Sequence, residues 1–426
     1  MLNRKDTGSF RYRRWIRYGL ILAVLILIYW FLATYLRGEA IFKMEDRYFQ
    51  PIDSDVPENL TSMSAKECGS CHVEMYEDWK HSMHAKAHTD PYYQAYWDFD
   101  DQNIVCRSCH TPLSQQWPEL VTRLPDNSRS LKGMVTEPNP DYDPELEQEG
   151  ITCAACHVRD GVIYGPFEAS TLNAPHPVAY DPDFTNYKIC ADCHDVKEDT
   201  FQFYQSEGVC GSMADFVGNS YNQAGFECQS CHMPAVESPL VPGFEKRKVR
   251  RHLWTGGHSP AMVKFALAMD FNTDDQTAFL KLRNDKAGHA VPNGDPDRKL
   301  IVNLRAFDAE ERILKEEEWV LGRTILWWPL IVELYDNRLD INEERSFELK
   351  LPSNTARVGA QVRYLVVTER QHKRLVEKHG LPPETRREYS VFREQIGLGE
   401  RIKIEIPEDT PAFYGPAEDY WRWPEE

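Results

Sequence analysis

Ten of the 11 cysteines in this 426-residue chain fall into five copies of one pattern, C-x-x-C-H: CGSCH (68–72), CRSCH (106–110), CAACH (153–157), CADCH (190–194) and CQSCH (228–232). Two thiols three positions apart can add to the two vinyl groups of one tetrapyrrole, and the imidazole that follows can reach its iron from the proximal face. This is the attachment pattern of c-type haem. A single C-x-x-C reads equally well as a disulfide or as half a zinc site, but zinc sites pair such motifs without an obligatory adjacent histidine. All five copies carry the histidine. The expected cofactors are therefore five covalently bound c-type haems (iron), attached through Cys68, Cys71, Cys106, Cys109, Cys153, Cys156, Cys190, Cys193, Cys228 and Cys231. His72, His110, His157, His194 and His232 are the expected proximal ligands.

The sixth ligand of each iron separates a carrier from an enzyme, since a second histidine closes the iron and an open face permits catalysis. Outside the motifs lie His81, His84, His88, His176, His252, His258, His289, His372 and His379. The last two sit in a charged run, QHKRLVEKH (371–379), and are expected in solvent, which leaves seven candidates for five irons. His81, His84 and His88 are spaced i, i+3 and i+7, so a helix running on from the first motif would carry all three on one face. Such a face would reach a neighbouring haem through His84, leaving His81 and His88 to shield the site.

The elements that must position these groups are uneven along the chain. Arg4, Lys5, Arg11, Arg13, Arg14 and Arg17 precede YGLILAVLILIYWFLATYL (18–36), 19 residues without a charge. At about 1.5 Å per residue this run can cross a bilayer, and the basic flank belongs in the cytoplasm. The expectation is a single-pass anchor in the inner (cytoplasmic) membrane, with the soluble part facing the periplasm. A cleaved signal peptide is the alternative, although the run is long for one and no A-x-A precedes Arg37. The formal charge of −18 leaves no reason to expect nucleic acid as a partner.

The rest divides by texture. Residues 1–37 are read as cytoplasmic tail and anchor, 38–66 as a polar tether, 67–270 as a pentahaem domain and 271–426 as a β-rich domain. Stretches such as TEPNPDYDPELEQEG (136–150) cannot build long regular elements, and the motifs begin only 38, 47, 37 and 38 residues apart. Haems packed that densely would touch and would themselves form the core. HSPAMVKFALAMD (258–270) has helical apolar spacing, and beyond it TAFLKLRN, RKLIVNLRAFD, RSFELKLP, QVRYLVVTER and ERIKIEIP alternate at strand length. The fold class expected is α+β: an N-terminal transmembrane helix, a loop- and helix-rich pentahaem domain and a C-terminal β-sandwich-like domain.

Several runs resemble multihaem cytochromes of the cytochrome c-554 group, related to hydroxylamine oxidoreductase: W-x-x-S-x-H-A (Trp79, Ser82, His84, Ala85), GITCAACH with a later APHP, ECQSCHMP, HLWTGGHS and RNDKAGHAVPNGDPDR. The similarity runs from about 65 to 407. It implies that His84, His176, His252, His258 and His289 are distal ligands. Two departures weaken an enzymatic role: there are five motifs where the hydroxylamine-oxidising enzymes carry eight and cytochrome c-554 four, and C-x-x-C-K is absent. The expected function is electron transfer in a respiratory chain through closely packed, mostly bis-histidine haems. Expected redox partners are a quinol dehydrogenase, other cytochromes or a terminal reductase. The alternatives are an oxidoreductase acting on a small nitrogen or sulfur compound at one open haem, a quinol dehydrogenase, or a subunit of an extended haem conduit. Cys210 stands alone, EKRKVRRH (245–252) is the one strongly basic run beyond the anchor, and WW (327–328) and YWRW (420–423) read as packing residues.

Overall fold

The computed structural model describes residues 7–36, 45–126, 131, 133–195, 211–274, 276–326, 332–398 and 403–405. Cys210, Trp327, Trp328 and the YWRW run lie outside the described residues.

The charge-free N-terminal run lies in one helix, Thr7–Leu36. Its window Trp15–Leu32 has a mean hydropathy of 2.0, and none of it is buried against the protein. It is long and apolar enough to cross a membrane, a property that an anchor and a signal segment share. The expected tether is structured from Glu45 onward. Tyr48 and Phe49, in the turn Asp46–Phe49, are buried, and Ile52 donates its N–H to the Pro112 carbonyl at 2.7 Å. Two aromatic side chains in a polar stretch supply enough apolar surface to fix it to the second motif.

From there to residue 266 the chain is made of short helices, short strands paired in twos and threes, and loops. Four of the motifs form helices of four to seven residues: Arg107–His110, Cys153–His157, Lys188–His194 and Cys228–His232. The first begins in Ala65–Gly69, capped by the Ser64 hydroxyl, and hands over at His72 to Val73–Lys80. Apolar packing is sparse here: Met63, Leu113, Leu146, Ala154 and Val158 form a small buried cluster. The helix after the first motif ends at Lys80, and residues 81–89 form turns. His81, His84 and His88 therefore do not share a helix face. The Ser82 hydroxyl accepts the Ala85 N–H at 3.2 Å, and a serine bonding to nearby backbone in this way favours a turn over a continuing helix.

The strand-rich region begins at Leu267, immediately after the helix Pro260–Ala266. The run expected as one helix to 270 switches there because Leu267 pairs with Asn284 across an antiparallel ladder. Five antiparallel strands lie in the order Ile313–Leu321, Lys299–Phe307, Arg357–Leu365, Glu388–Gly397 and Lys403–Glu405, and three more in the order Glu344–Lys350, Thr277–Asn284 and Leu267–Thr273. Alternation is clear in Thr277–Asn284, where Ala278, Leu280 and Leu282 are fully buried between more exposed neighbours. These join Val302, Leu304, Val358 and Val362 in one core. The sheets share this core but are small, and they do not form the clear sandwich expected.

One helix ties the two regions together. Pro91–Phe99 is capped by Asp90, whose carboxylate accepts the Tyr93 N–H at 3.0 Å. Tyr92, Ala95, Tyr96 and Phe99 pack on the strand-rich core, while Tyr93 stacks on His110 with ring centres 3.9 Å apart. The first face also receives the two histidines expected in solvent. His372 Nδ1 lies 3.0 Å from the Tyr92 hydroxyl, and His379 Nδ1 lies 2.9 Å from Asp98. Their helix, Glu369–Lys378, is exposed on one side only.

Candidate haem-binding site

Four proximal histidines each face one distal candidate at nearly the same separation. Ring centres are 6.4 Å apart for His72 and His176, 6.4 Å for His84 and His194, 6.3 Å for His157 and His252, and 6.3 Å for His232 and His289. Two metal–imidazole bonds of about 2.0 Å, together with the distance from each ring centre to its nitrogen, add up to about 6.3 Å. Four pairs at one spacing, far beyond ring contact, fit a metal held between the two rings of each.

The backbone orients most of these rings. Nδ1 lies within hydrogen-bond distance of a carbonyl oxygen in His72 (Leu240, 2.9 Å), His157 (Tyr164, 2.7 Å), His232 (Thr255, 2.6 Å), His252 (Arg250, 2.9 Å) and His289 (Ala290, 2.9 Å). An imidazole that donates Nδ1–H in this way keeps Nε2 as a lone pair for a metal, the usual arrangement around metal-bound histidine. Burial also disfavours the protonated ring. It lowers the pKa of His84 to about 3, assisted by His194, and those of His232 and His252 to about 4, assisted by His289 and His157. Neutral imidazole is the form that ligates.

The second motif differs. His110 Nδ1 lies 2.7 Å from the Ala87 carbonyl, as in the other sites, and burial lowers its pKa to about 4. All 14 histidines are among the described residues, and none stands opposite His110 at the spacing of the other pairs. His258, the fifth distal candidate, is placed otherwise: its Nε2 lies 3.3 Å from Nη2 of Arg298. That guanidinium and burial together lower its pKa to about 4. His88 is buried, with Nε2 3.6 Å from Glu147, which also receives Arg107 of the second motif at 2.6 Å. His81 turns back to its own helix, to the Glu77 carbonyl at 2.7 Å.

The motifs also neighbour one another. The Cys68 thiol lies beside that of Cys153, Cys109 beside Cys193, and Cys190 beside Cys228. Cys156 is near enough to raise the pKa values of Cys190 and Cys193. The spatial order is thus first, third, fourth, with the second and fifth both beside the fourth.

A short segment gathers three of these sites. Within 252–258, His252 faces His157, Trp254 lies on His84, the Thr255 carbonyl holds His232, and His258 meets Arg298. Asp78 anchors the start of the segment, accepting from Arg251 Nε at 2.6 Å and from the His252 N–H at 3.0 Å. The sequence indicated the histidines. It did not indicate Asp78, Tyr93 or the carbonyl partners, because backbone oxygens carry no side-chain signal.

The architecture is similar to that of a solved multihaem cytochrome, the penta-heme cytochrome c552 from Thermochromatium tepidum. The TM-score is 0.58 at 20% identity, covering 79% of this chain and 98% of that chain. At that identity the likeness is one of fold. It agrees with the multihaem cytochrome part of the resemblance and does not extend to the hydroxylamine oxidoreductase-related group. No protein-family model matches the sequence, and no curated protein matches it.

Proposed function

We propose that this chain is a membrane-anchored, periplasmic pentahaem cytochrome c that transfers electrons in a respiratory chain. The observation that carries the reading is the set of four histidine pairs spaced for iron, each beside its own C-x-x-C-H motif. Haem iron, when bound, supplies the one-electron redox chemistry. The chain's own part is to close the iron with two imidazoles, hold their tautomers through backbone carbonyls, and set the motifs side by side. In this reading His176 serves the first motif, His252 the third, His84 the fourth and His289 the fifth.

The anchor rests on the apolar helix with its basic flank. The partners are a quinol-oxidising donor or another cytochrome on one side and a terminal reductase or further cytochrome on the other. The test is a haem count with an electron paramagnetic resonance (EPR) spectrum of the oxidised protein. Five haems, mostly low-spin, are expected. A spectrum dominated by high-spin ferric iron would reject the carrier.

One observation favours a second reading, in which a small nitrogen or sulfur compound reacts at the second motif. No histidine faces His110 at ligand spacing, so its iron would keep an exchangeable face. Carbon monoxide binding to the reduced protein at one site per chain, with turnover of hydroxylamine or nitrite, is the expected result. Five low-spin irons and no carbon monoxide complex would remove this reading and leave the carrier intact.

A further inference from the structure

Trp254 has a backbone φ of +43°. That left-handed region is strained for a large side chain, and residues held there cluster at functional sites. Gly256 and Gly257 follow two and three positions later, yet the unfavourable turn falls on the tryptophan. Its ring has a specific position: it lies over His84 with centres 4.5 Å apart and planes 39° apart, and it meets His252 edge-on at 5.2 Å and 86°. These histidines face His194 of the fourth motif and His157 of the third.

A second observation is independent of the strain. His72, His110, His157, His232, His252 and His289 each have Nδ1 against a backbone carbonyl. His84, like His176 and His194, has no such bond among the described residues. A single metal–nitrogen bond leaves an imidazole free to rotate about it, so something else must fix the plane of His84. The indole face is what lies against it. The chain just beyond is held as well, since the Thr255 carbonyl lies 2.6 Å from Nδ1 of His232.

We propose that Trp254 is a positioning residue: its indole sets the ring plane of His84 at the fourth site and locks it to His252 at the third. This rests on the histidine pairing given under Proposed function. The plane of an axial imidazole determines which iron orbital it donates into. Its rotation therefore shifts the low-spin EPR signal and the midpoint potential of that iron. The fourth motif neighbours the second, third and fifth, so a defect there reaches every route to the second or the fifth.

The test compares W254G, W254F and H84A in the full-length holoprotein. Glycine accepts φ +43° without strain, so W254G removes the ring without imposing a new backbone cost. H84A is expected to convert one low-spin signal to high-spin, which identifies the fourth site. In W254G, with five haems retained, that same signal is expected to shift or broaden and one midpoint potential to move. In W254F the signal is expected to return to the wild-type position. Wild-type spectra and potentials in W254G with five haems would overturn the proposal while leaving the pairing intact. If H84A produced no new high-spin signal, the pairing itself would fail, and the two failures are distinguishable.

Discussion

Replacing Asp78 with alanine should weaken the fold and one redox site together, by amounts the geometry bounds. Asp78 lies in the helix that follows the first motif, with its side chain 9% exposed, and Arg251 is 26% exposed. The two form a forked pair, Nε to Oδ2 at 2.6 Å and Nη2 to Oδ1 at 2.5 Å, and Oδ2 also takes the His252 N–H at 3.0 Å. Removing one partner of a fully buried pair costs about 3–5 kcal/mol. With a quarter of the Arg251 side chain in water, about 2–3 kcal/mol is the better expectation. At roughly 2 °C per kcal/mol for a chain of this size, the melting temperature should fall by about 4–6 °C. His252 loses its backbone anchor as well, so the low-spin signal of the third site should broaden. D78N keeps the shape and loses the charge, and it should fall between the two. The assays are thermal melting followed by visible absorbance, and EPR. A D78A protein with wild-type melting temperature and unchanged spectrum would refute the reasoning that this pair fixes His252.

Other substitutions have equally definite outcomes. Gly150 has φ +62°, and a Cβ there would sit 2.8 Å from the His84 carbonyl oxygen; G150A should cost about 1–3 kcal/mol and shift the fourth-site signal, both readable in the assays above. Burial, aided by Asp295, raises the Asp297 carboxyl to about 6, against about 3.9 in an unfolded chain. Below about pH 4 both states hold the proton and the group is neutral to stability; as pH rises toward 6 the unfolded state loses its proton first, so stability falls by up to about 3 kcal/mol. D297N should therefore melt higher than wild type at pH 7, with the gap closing toward pH 4; a gap independent of pH would count against a protonated Asp297. H289A should open the fifth iron, and one additional carbon monoxide site on the reduced protein would show it.

The parts of this molecule that were legible in the sequence are those with short-range signatures. The C-x-x-C-H spacing marks ten cysteines and five histidines without reference to anything distant, and alternation such as Ala278, Leu280 and Leu282 marks a half-buried strand. Pairing was harder. His84 faces His194, and His176 faces His72, separations that only the folded chain specifies. His258 lies in a run that resembles a ligand motif, and only the folded chain shows its Nε2 3.3 Å from Arg298, 40 residues away. The turns after Lys80 hid in a helical histidine spacing because Ser82 bonds to the backbone in place of an outward-facing role. His372 and His379 looked like surface residues of a charged helix, and only the Pro91–Phe99 helix packed against them shows otherwise.

The 252–258 segment has a consequence for biogenesis. On the proposed pairing, the first, third and fifth irons take their second ligand from chain that is translated after the motif it completes, and only the fourth takes one from earlier chain. Cofactor attachment at those three motifs could then precede closure of the coordination sphere, and a chain arrested before residue 252 would leave the third and fifth irons open to oxygen and to small ligands. The segment that would complete the third site and lies against the fourth and fifth would then act as a late latch, separating an open assembly stage from the finished protein.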